Sequence, residues 1–492
     1  MSRTIEADVC IVGAGIAGLF AACRLPEGTR IAVIDKGPVG VGSSPLAQGG
    51  MAAAVGPGDS WDLHLQDTIA AGDRLVELRA AEVVCREAPA RVEDLISLGC
   101  SFDTNPDGSL HLAREGGQTE ARSVHRADET GAEMVRALRL AAGPRVERVE
   151  GTVLRFALAD GDCAGVWTLV GGEVTLVRAP HTLLATGGAG ALFDSTTNNP
   201  ASTGDGIALG AFAGARLADL EFVQFHPTAL AVEESPRPLL TEALRGAGAV
   251  LVDRNGRRFM PEAHPLAELA PRHVVTAAIL ASGGAFLDAT SLGSDLLDRE
   301  FPTVVSSCRA RGFDPATQAL PVKPAAHYLI GGVSTDLDGR TSIPHLYAAG
   351  ECAATGMHGA NRMAGNSLSE SVVFAARAAQ AMIDDEKPRA GDPDWTDVPR
   401  TAGDVATRRA ETVAAVSLGA GPIRDAKNAQ LALEKLETLA GEVAGSPADE
   451  AMVTTGDLLV RAALSREETR GVHARSDYPQ VNPELDGVHF TR

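Results

Sequence analysis

Seven residues scattered through this chain could together hold a small molecule with two carboxylate groups. Arg272 and Arg362 offer planar guanidinium groups, which bind a carboxylate through two parallel hydrogen bonds. Residues 114–117 read Arg-Glu-Gly-Gly, so Glu115 would be an anion among cations and would favour a substrate that also carries a positive charge. An amino dicarboxylate such as aspartate fits this pattern. The candidate residues are Glu115, His226, Thr241, Glu242, Arg272, His327 and Arg362.

A glycine-rich turn near the start of the chain predicts a dinucleotide site. Gly13, Gly15 and Gly18 follow an apolar strand and precede a helix of small residues, which allows a tight turn and close approach of a pyrophosphate. Asp35 ends the next strand, where ribose hydroxyls would lie. Further glycine turns favour a long, buried FAD over a dissociating nicotinamide; they occur at 186–188, 204–206 and 348–351.

The elements that must position these residues predict an α/β fold with three parts. We expect a Rossmann-like FAD-binding domain, interrupted by an α+β capping domain and followed by a C-terminal helical domain. The predicted ranges are 1–218 and 325–384 for the FAD-binding domain, 219–324 for the cap and 405–492 for the helical domain. A linker rich in Asp and Pro is expected at 384–404. We also expect a β-meander over 145–186, with one strand at 149–158, and a helix over 294–311.

Composition excludes several classes of protein. A length of 492 residues suggests about three domains, and a net charge of −20 argues against a nucleic-acid binder. The seven cysteines are dispersed and odd in number, which excludes a complete disulfide framework and shows no zinc or iron–sulfur spacing, so no metal is predicted. Without a signal sequence or a run of about 20 apolar residues, we expect a cytoplasmic protein with no membrane partner.

Many of the motifs resemble the flavoprotein family of L-aspartate oxidases, succinate dehydrogenases and fumarate reductases. The matching segments cover nearly the whole chain and include a tail motif at 465–477. The others are 9–18, 47–50, 202–206, 225–228, 240–246, 258–261, 269–275, 324–332 and 346–371. The family fold is an FAD domain interrupted by a cap and followed by a helical domain, which agrees with the division above.

The resemblance implies which residues contact FAD. Respiratory members attach FAD covalently through a histidine where this chain has Ser43, so FAD should be non-covalent here, as in aspartate oxidases. The helix that begins near Ser367 would favour negative charge on the reduced flavin. The expected cofactor residues are Gly13, Ala14, Gly15, Ile16, Ala17, Gly18, Asp35, Lys36, Ser43, Ser44, Ala47, Gln48, Gly49, Gly50, Thr152, Val153, Asp205, Glu351, Ser367 and Leu368.

The resemblance also implies an activity, which is the oxidation of L-aspartate to iminosuccinate with O₂ or fumarate as electron acceptor. In the family this reaction begins NAD biosynthesis, so a quinolinate-forming enzyme would act next. Arg272 matches the family's catalytic arginine, and Glu242 is the candidate partner that would let it move protons. A guanidinium is protonated at ordinary pH, so a purely electrostatic Arg272 remains an alternative.

Glu115 decides between the members of the family. A carboxylate there would repel succinate or fumarate and attract the ammonium of aspartate, unless Glu115 is a solvated residue paired with Arg114 or Arg122. The alternatives are a soluble fumarate reductase, the flavoprotein subunit of a membrane complex and a non-catalytic FAD-binding protein. One departure from the family pattern is Gly365, which replaces a serine that helps to hold substrate.

Overall fold

The computed structural model describes residues 3–37, 42–387, 391, 393, 406–443 and 446–492. Its strands are β1 (Arg3–Glu6), β2 (Val9–Val12), β3 (Ile31–Asp35), β4 (Met51–Ala52), β5 (Leu112–Ala113), β6 (Ser123–Val124), β7 (Val146–Glu150), β8 (Thr152–Ala159), β9 (Asp162–Val170), β10 (Glu173–Arg178), β11 (His181–Leu184), β12 (Leu217–Ala218), β13 (Val223–Leu230), β14 (Val250–Asp253), β15 (Ala285–Asp288), β16 (Leu320–Leu329), β17 (Gly332–Ser334), β18 (Leu346–Ala348) and β19 (Ala353–Ala354).

Helices connect and cover these strands within the described residues. They are α1 (Ile16–Arg24), α2 (Trp61–Ala71), α3 (Leu78–Ser97), α4 (Thr130–Ala142), α5 (Asp205–Phe212), α6 (Glu242–Gly246), α7 (Met260–Ala263), α8 (Arg272–Ala281), α9 (Ser294–Glu300), α10 (Pro302–Arg309), α11 (Asn366–Asp384), α12 (Ala406–Ala420), α13 (Ala426–Glu442) and α14 (Pro447–Ser465).

A five-stranded parallel sheet carries the dinucleotide motif, in the order β18-β11-β2-β3-β7. The apolar strand β2 is buried along its whole length, as expected for a sheet covered on both faces. Gly13, which follows β2, has φ +110°, and a Cβ there would lie 2.2 Å from the carbonyl oxygen of Ala185. Only glycine allows this turn, which brings the N-terminus of α1 to the carboxyl edge of the sheet.

The cap is built on an antiparallel sheet in the order β13-β16-β15-β14. The helices of the cap pack on this sheet, and together they form an apolar core that is separate from that of the parallel sheet. This core includes Leu251, Val275, Leu287 and Val304. The chain enters the cap through β13 and leaves it through β16, so the cap is an insertion in the FAD-binding fold. The boundary predicted between residues 324 and 325 falls inside β16.

The C-terminal part is helical. Helices α12, α13 and α14 pack against one another, and α14 also packs against α5 of the FAD-binding domain. The chain then returns to the base of the cap, where the Asp219 N–H donates to the Phe490 carbonyl at 3.0 Å. Of the linker predicted at 384–404, most residues lie outside the described ranges.

Two predicted elements are wrong in detail. The strand expected at 149–158 is divided at Gly151, and its halves, β7 and β8, belong to different sheets. The helix expected at 294–311 is two helices, α9 and α10, because Pro302 lacks an N–H and disfavours helical backbone at the residue before it. Phe301 accordingly has φ −131°.

Candidate active site

A cleft opens where β2 and β3 end. It is formed by the first turns of α1 and α11, by the turns after β3, β11 and β18, and by a short turn at 43–47. Thirteen residues predicted to contact the cofactor line this cleft: Gly13, Ala14, Gly15, Ile16, Ala17, Asp35, Lys36, Ser43, Ser44, Ala47, Glu351, Ser367 and Leu368. The structure therefore brings together most of a set that is spread over more than three hundred residues of sequence.

The remaining predicted cofactor residues lie elsewhere. Gln48, Gly49 and Gly50 line an adjoining pocket, described below. Gly18 lies under the turn, since a Cβ there would be 2.1 Å from the Gly13 carbonyl oxygen. Asp205 does not line the cleft itself, but its carboxylate binds Nζ of the lining residue Lys36 at 2.6 Å. Thr152 and Val153 lie on β8 and are not among the lining residues, so their adenine contact stays a prediction.

The cleft has the donors and acceptors that an FAD molecule needs. The N-cap residues of α1 and α11 are Gly15 and Gly365, so neither N-cap has a side chain that accepts from the first turn. The Ile16 N–H of α1 donates to Ser44 Oγ at 3.3 Å, and the positive ends of both helices line the cleft, where they favour anionic groups of a cofactor. Glu351 is a partly exposed carboxylate that lines the cleft, and its Oε1 accepts from the Leu329 N–H at 2.9 Å. Desolvation raises its pKa to about 7. These features fit a bound dinucleotide.

Ser43 is the residue from which the sequence predicts non-covalent FAD. Its Oγ is 2.8 Å from Ser202 Oγ and accepts from the Asn199 N–H at 3.1 Å. The side chain therefore joins the turn at 43–47 to the loop at 198–202. A serine hydroxyl has no imidazole nitrogen to bond to a flavin, which favours non-covalent binding.

The adjoining pocket contains all seven residues predicted to bind or transform the substrate. The two cavities are neighbours that share six lining residues: Ala47, Leu239, His327, Arg362, Ser367 and Leu368. The cap contributes residues from β13, α6 and α8, and the FAD-binding domain contributes Glu115 and Arg362. The substrate pocket thus lies between the cap and the FAD-binding domain, directly beside the cofactor cleft.

Arg362 is a buried cation that has no anionic partner among the described residues. It is 7% exposed, and in the described part of the chain no carboxylate oxygen lies within 4.0 Å of its guanidinium group. Its Nε has no hydrogen-bond partner, and the guanidinium carbon lies 4.6 Å from the centre of the Tyr328 ring. Burial, with the nearby Arg272, lowers the pKa of Arg362 to about 10, so it is still charged at neutral pH. Such a group is well suited to bind a substrate carboxylate.

Two histidines complete this side of the pocket. The rings of His226 and His327 are 5.1 Å apart, and His327 Nδ1 lies 2.8 Å from Thr197 Oγ1. Burial, followed by the charge of Arg272, holds the pKa of both histidines well below the ordinary value. Both rings are therefore neutral at physiological pH, and each can donate one hydrogen bond without adding a charge.

The cap arginine Arg272 is held by two residues of the cap. Its Nε donates to Glu242 Oε2 at 2.8 Å, and one terminal nitrogen donates to Gln224 Oε1 at 2.9 Å. Arg245 lies on the other side of Glu242, with its nitrogen 3.8 Å from Oε1. Burial would raise the pKa of Glu242, but Arg272 and Arg245 outweigh it and hold that pKa below the ordinary value. Glu242 is therefore an ionised carboxylate between two guanidinium groups.

Glu115 is buried in the pocket and is not part of a surface ion pair. It is 8% exposed, and its Oε1 accepts from the Gly50 N–H at 2.9 Å. Arg122 binds Asp59 and Asp67 instead, and Arg114 donates its Nε hydrogen to a backbone carbonyl. No cation lies within 4.0 Å of Glu115 in the described ranges. Burial, with Glu242 nearby, raises its pKa.

Three residues of the site were not predicted from the sequence. Arg245 is three residues after Glu242 on α6, a spacing that places the two side chains on one helix face. Gln224 is two residues before His226 on β13, a spacing that in a regular strand places two side chains on one face, and here β13 has a register shift between Gln224 and Phe225. Both signals were present in the sequence. Tyr328 follows His327 and gave no comparable signal, because its role depends on the position of Arg362.

Comparison with family models agrees with this architecture. An FAD binding domain model matches residues 8–368, and the model of the fumarate reductase flavoprotein C-terminus matches residues 447–490. In the described part of the chain, no helix is long and apolar enough to cross a membrane.

Similar proteins are known by sequence and by structure. The chain is 44% identical to an L-aspartate oxidase of Caulobacter vibrioides, over 98% of this chain and 95% of the relative. It is 43% identical to one of Streptomyces coelicolor, over 96% and 89%. Among solved structures, a variant of E. coli quinol fumarate reductase is 30% identical with a TM-score of 0.89, over 99% and 94% of the two chains. Mycobacterium smegmatis Sdh1 is 32% identical with a TM-score of 0.85, over 99% and 92%.

Proposed function

The chain belongs to the L-aspartate oxidase family and is an FAD-dependent oxidoreductase, and on that premise we propose that it oxidises L-aspartate to iminosuccinate. The observation that carries this proposal is the buried Glu115 carboxylate, which has no cationic partner among the described residues. A pocket with two arginines suits a dicarboxylate, and an unpaired carboxylate beside them suits an ammonium group.

Each end of aspartate has a set of partners in the pocket. Arg362 binds one carboxylate, with a hydrogen bond from His327, while His226 and Thr241 hold the other. Thr241 is the N-cap residue that precedes α6, and its Oγ1 accepts from the Ala243 N–H at 3.4 Å. Its own hydroxyl hydrogen can therefore be donated to the substrate. Glu115 binds the ammonium, which fixes the orientation of Cα toward the cofactor cleft.

The residues of the site also manage charge and protons. FAD, when bound, supplies a two-electron acceptor for the hydride that leaves Cα. Glu115 has a raised pKa and can take the proton that the ammonium must lose as the C=N bond forms. Arg272 acts as a fixed positive charge, because Glu242 is ionised and holds it in place by a 2.8 Å hydrogen bond.

Non-covalent FAD and the fate of the product complete the proposal. Ser43 leaves FAD without a covalent attachment, so the cofactor is held by the cleft alone. We propose O₂, giving H₂O₂, or fumarate as the acceptor that reoxidises the enzyme. Iminosuccinate hydrolyses in water, so a quinolinate-forming enzyme would consume it directly in the synthesis of NAD.

The proposal is tested by aerobic turnover of the purified yellow protein. With L-aspartate we expect one H₂O₂ for each O₂ consumed, together with ammonia and oxaloacetate from hydrolysis of the product. D-Aspartate is the control, because its ammonium would point away from Glu115. Equal oxidation of L-aspartate and D-aspartate, or oxidation of succinate in place of L-aspartate, would contradict the proposed function.

The second candidate is a soluble fumarate reductase. The overall similarity to E. coli quinol fumarate reductase favours it, as does the presence of two arginines in the pocket. It requires Glu115 to be protonated when the substrate binds, because fumarate presents only carboxylates. Enzyme that reduces fumarate with added reductant but does not oxidise aspartate would support this alternative.

A further inference from the structure

Arg362, the proposed binding partner of a substrate carboxylate, must be held in position inside the pocket. A buried guanidinium without a carboxylate partner would be costly to keep in one position. The group that it does contact is the face of the Tyr328 ring, 4.6 Å from the guanidinium carbon. An aromatic face attracts a cation through its negative quadrupole, so Tyr328 both holds and stabilises Arg362.

Behind Tyr328 lies a buried carboxylate that the proposed reaction does not use. The Tyr328 hydroxyl donates to Glu370 Oε2 at 2.9 Å, and Nε2 of His358 lies 3.0 Å from the same oxygen. The Thr355 hydroxyl donates to the other oxygen at 2.5 Å. Glu370 is 1% exposed and lies on α11, the helix whose first turn lines the cofactor cleft.

The charge states of this cluster are defined by its contacts. Burial would raise the pKa of Glu370, but His358 and the hydrogen bonds from Thr355 and Tyr328 hold it below the ordinary value. Burial and the neighbouring Glu370 raise the pKa of Tyr328 well above the ordinary value. The phenol therefore stays protonated and donates its hydrogen to an ionised carboxylate, which makes the ring face more negative.

We propose that Glu370 is a positioning residue for the substrate anchor: through the Tyr328 hydroxyl and ring, it holds the Arg362 guanidinium in the pocket without touching the substrate. This inference rests on the proposed role of Arg362 in binding a carboxylate. It does not depend on which dicarboxylate the enzyme transforms.

The test uses the FAD-bound enzyme and separates binding from chemistry. Tyr328→Phe keeps the ring and removes the hydroxyl, Glu370→Gln removes the charge, and the double variant removes both. Rapid mixing gives the Kd and the limiting rate of flavin reduction by L-aspartate, and the same two quantities for reoxidation of reduced enzyme by fumarate. Fumarate has two carboxylates and no ammonium, so its Kd reports on Arg362 even if aspartate is not the substrate.

We expect each single variant to raise both Kd values about three- to tenfold, with limiting rates within about twofold of the wild type. The Kd values of the double variant should be no higher than those of the weaker-binding single variant, because both changes remove the same Glu370–Tyr328 hydrogen bond. Glu87→Gln is the matched control. Glu87 binds Arg377 at 2.6 Å, and Arg377 lies on α11, the helix that also carries Glu370. The loss of this charge should leave both Kd values unchanged.

Three results would overturn the proposal. A Tyr328→Phe enzyme with wild-type Kd values would show that the ring acts without Glu370. Additive losses in the double variant would show that the two residues act separately. Lower limiting rates with unchanged Kd values would show that the cluster acts on the flavin. FAD content and the unfolding temperature of each variant identify any that fails to fold, and Tyr328→Phe then carries the test alone.

Discussion

Replacing Glu115 with glutamine removes one negative charge from the substrate pocket while keeping the size of the side chain. The amide oxygen can still accept the hydrogen bond that the Gly50 N–H now donates to Oε1 at 2.9 Å. No cation lies within 4.0 Å of Glu115 in the described ranges, so the change breaks no ion pair among those residues. The variant therefore isolates the interaction with the substrate.

The size of the effect follows from the burial of Glu115. Two unit charges 4 Å apart attract by about 4 kcal/mol at an effective dielectric constant of 20, and part of this is lost to desolvation. A net loss of about 1.5 to 3 kcal/mol is typical of a hydrogen bond to a charged group. We expect kcat/KM for L-aspartate to fall about 10- to 100-fold. The same charge repels fumarate, so fumarate reduction should be unchanged or faster.

The assay compares both reactions in Glu115→Gln and in a control, Glu120→Gln. Glu120 is an exposed carboxylate five residues further along the same loop, so the control makes the same change in net charge. Burial raises the pKa of Glu115, so the ionised form is lost as pH falls from neutrality, earlier than for an ordinary glutamate. Wild-type affinity for aspartate should weaken over that range, and the affinity of Glu115→Gln should not. Equal losses in both reactions would refute the reasoning.

Three further predictions concern the cofactor and the neighbouring backbone. Gly365→Ser should lower the free energy of unfolding by about 1 to 3 kcal/mol, as measured by thermal unfolding. The reason is that Gly365 has φ +84° and that a Cβ there would lie 2.9 Å from Ala52 Cβ. Adding Ala52→Gly should recover part of this loss. Burial raises the pKa of Glu351 from 4.5 to about 7, so its contribution to the stability of FAD-free protein is complete below pH 4.5 and is lost as pH rises through 7. Glu351→Gln should make FAD-free protein more stable at pH 8 by up to about 3 kcal/mol and weaken FAD binding; a variant with unchanged stability and affinity would contradict both roles. Acid precipitation should leave all flavin in the supernatant, whereas flavin that stays with the protein would show a covalent bond.

Local patterns were enough to predict the FAD-binding fold. The strand, glycine turn and helix at 9–24 depend on neighbouring residues, and the alternation of strands and helices implied the parallel sheet. Elements that tertiary packing divides were less predictable: Gly151 gave no sign that β7 and β8 would join different sheets. The division before Pro302 did have a local signal, since a residue before proline avoids the helical region.

The state of Glu115 could not be read from the sequence. Arg114 and Arg122 are close to it in sequence, and pairing with either was a reasonable alternative. Arg122 is instead bound by Asp59 and Asp67, from segments more than fifty residues away, and this leaves Glu115 facing the pocket. Only the tertiary structure decides which carboxylate takes which arginine.

The proposed function is tested most directly by anaerobic flavin reduction in the wild-type enzyme. The purified protein is mixed with L-aspartate or with succinate, and the visible absorbance of the flavin is followed. The proposal predicts bleaching by L-aspartate, no bleaching by succinate at the same concentration, and return of the colour when fumarate is added. Bleaching by succinate but not by L-aspartate would contradict it.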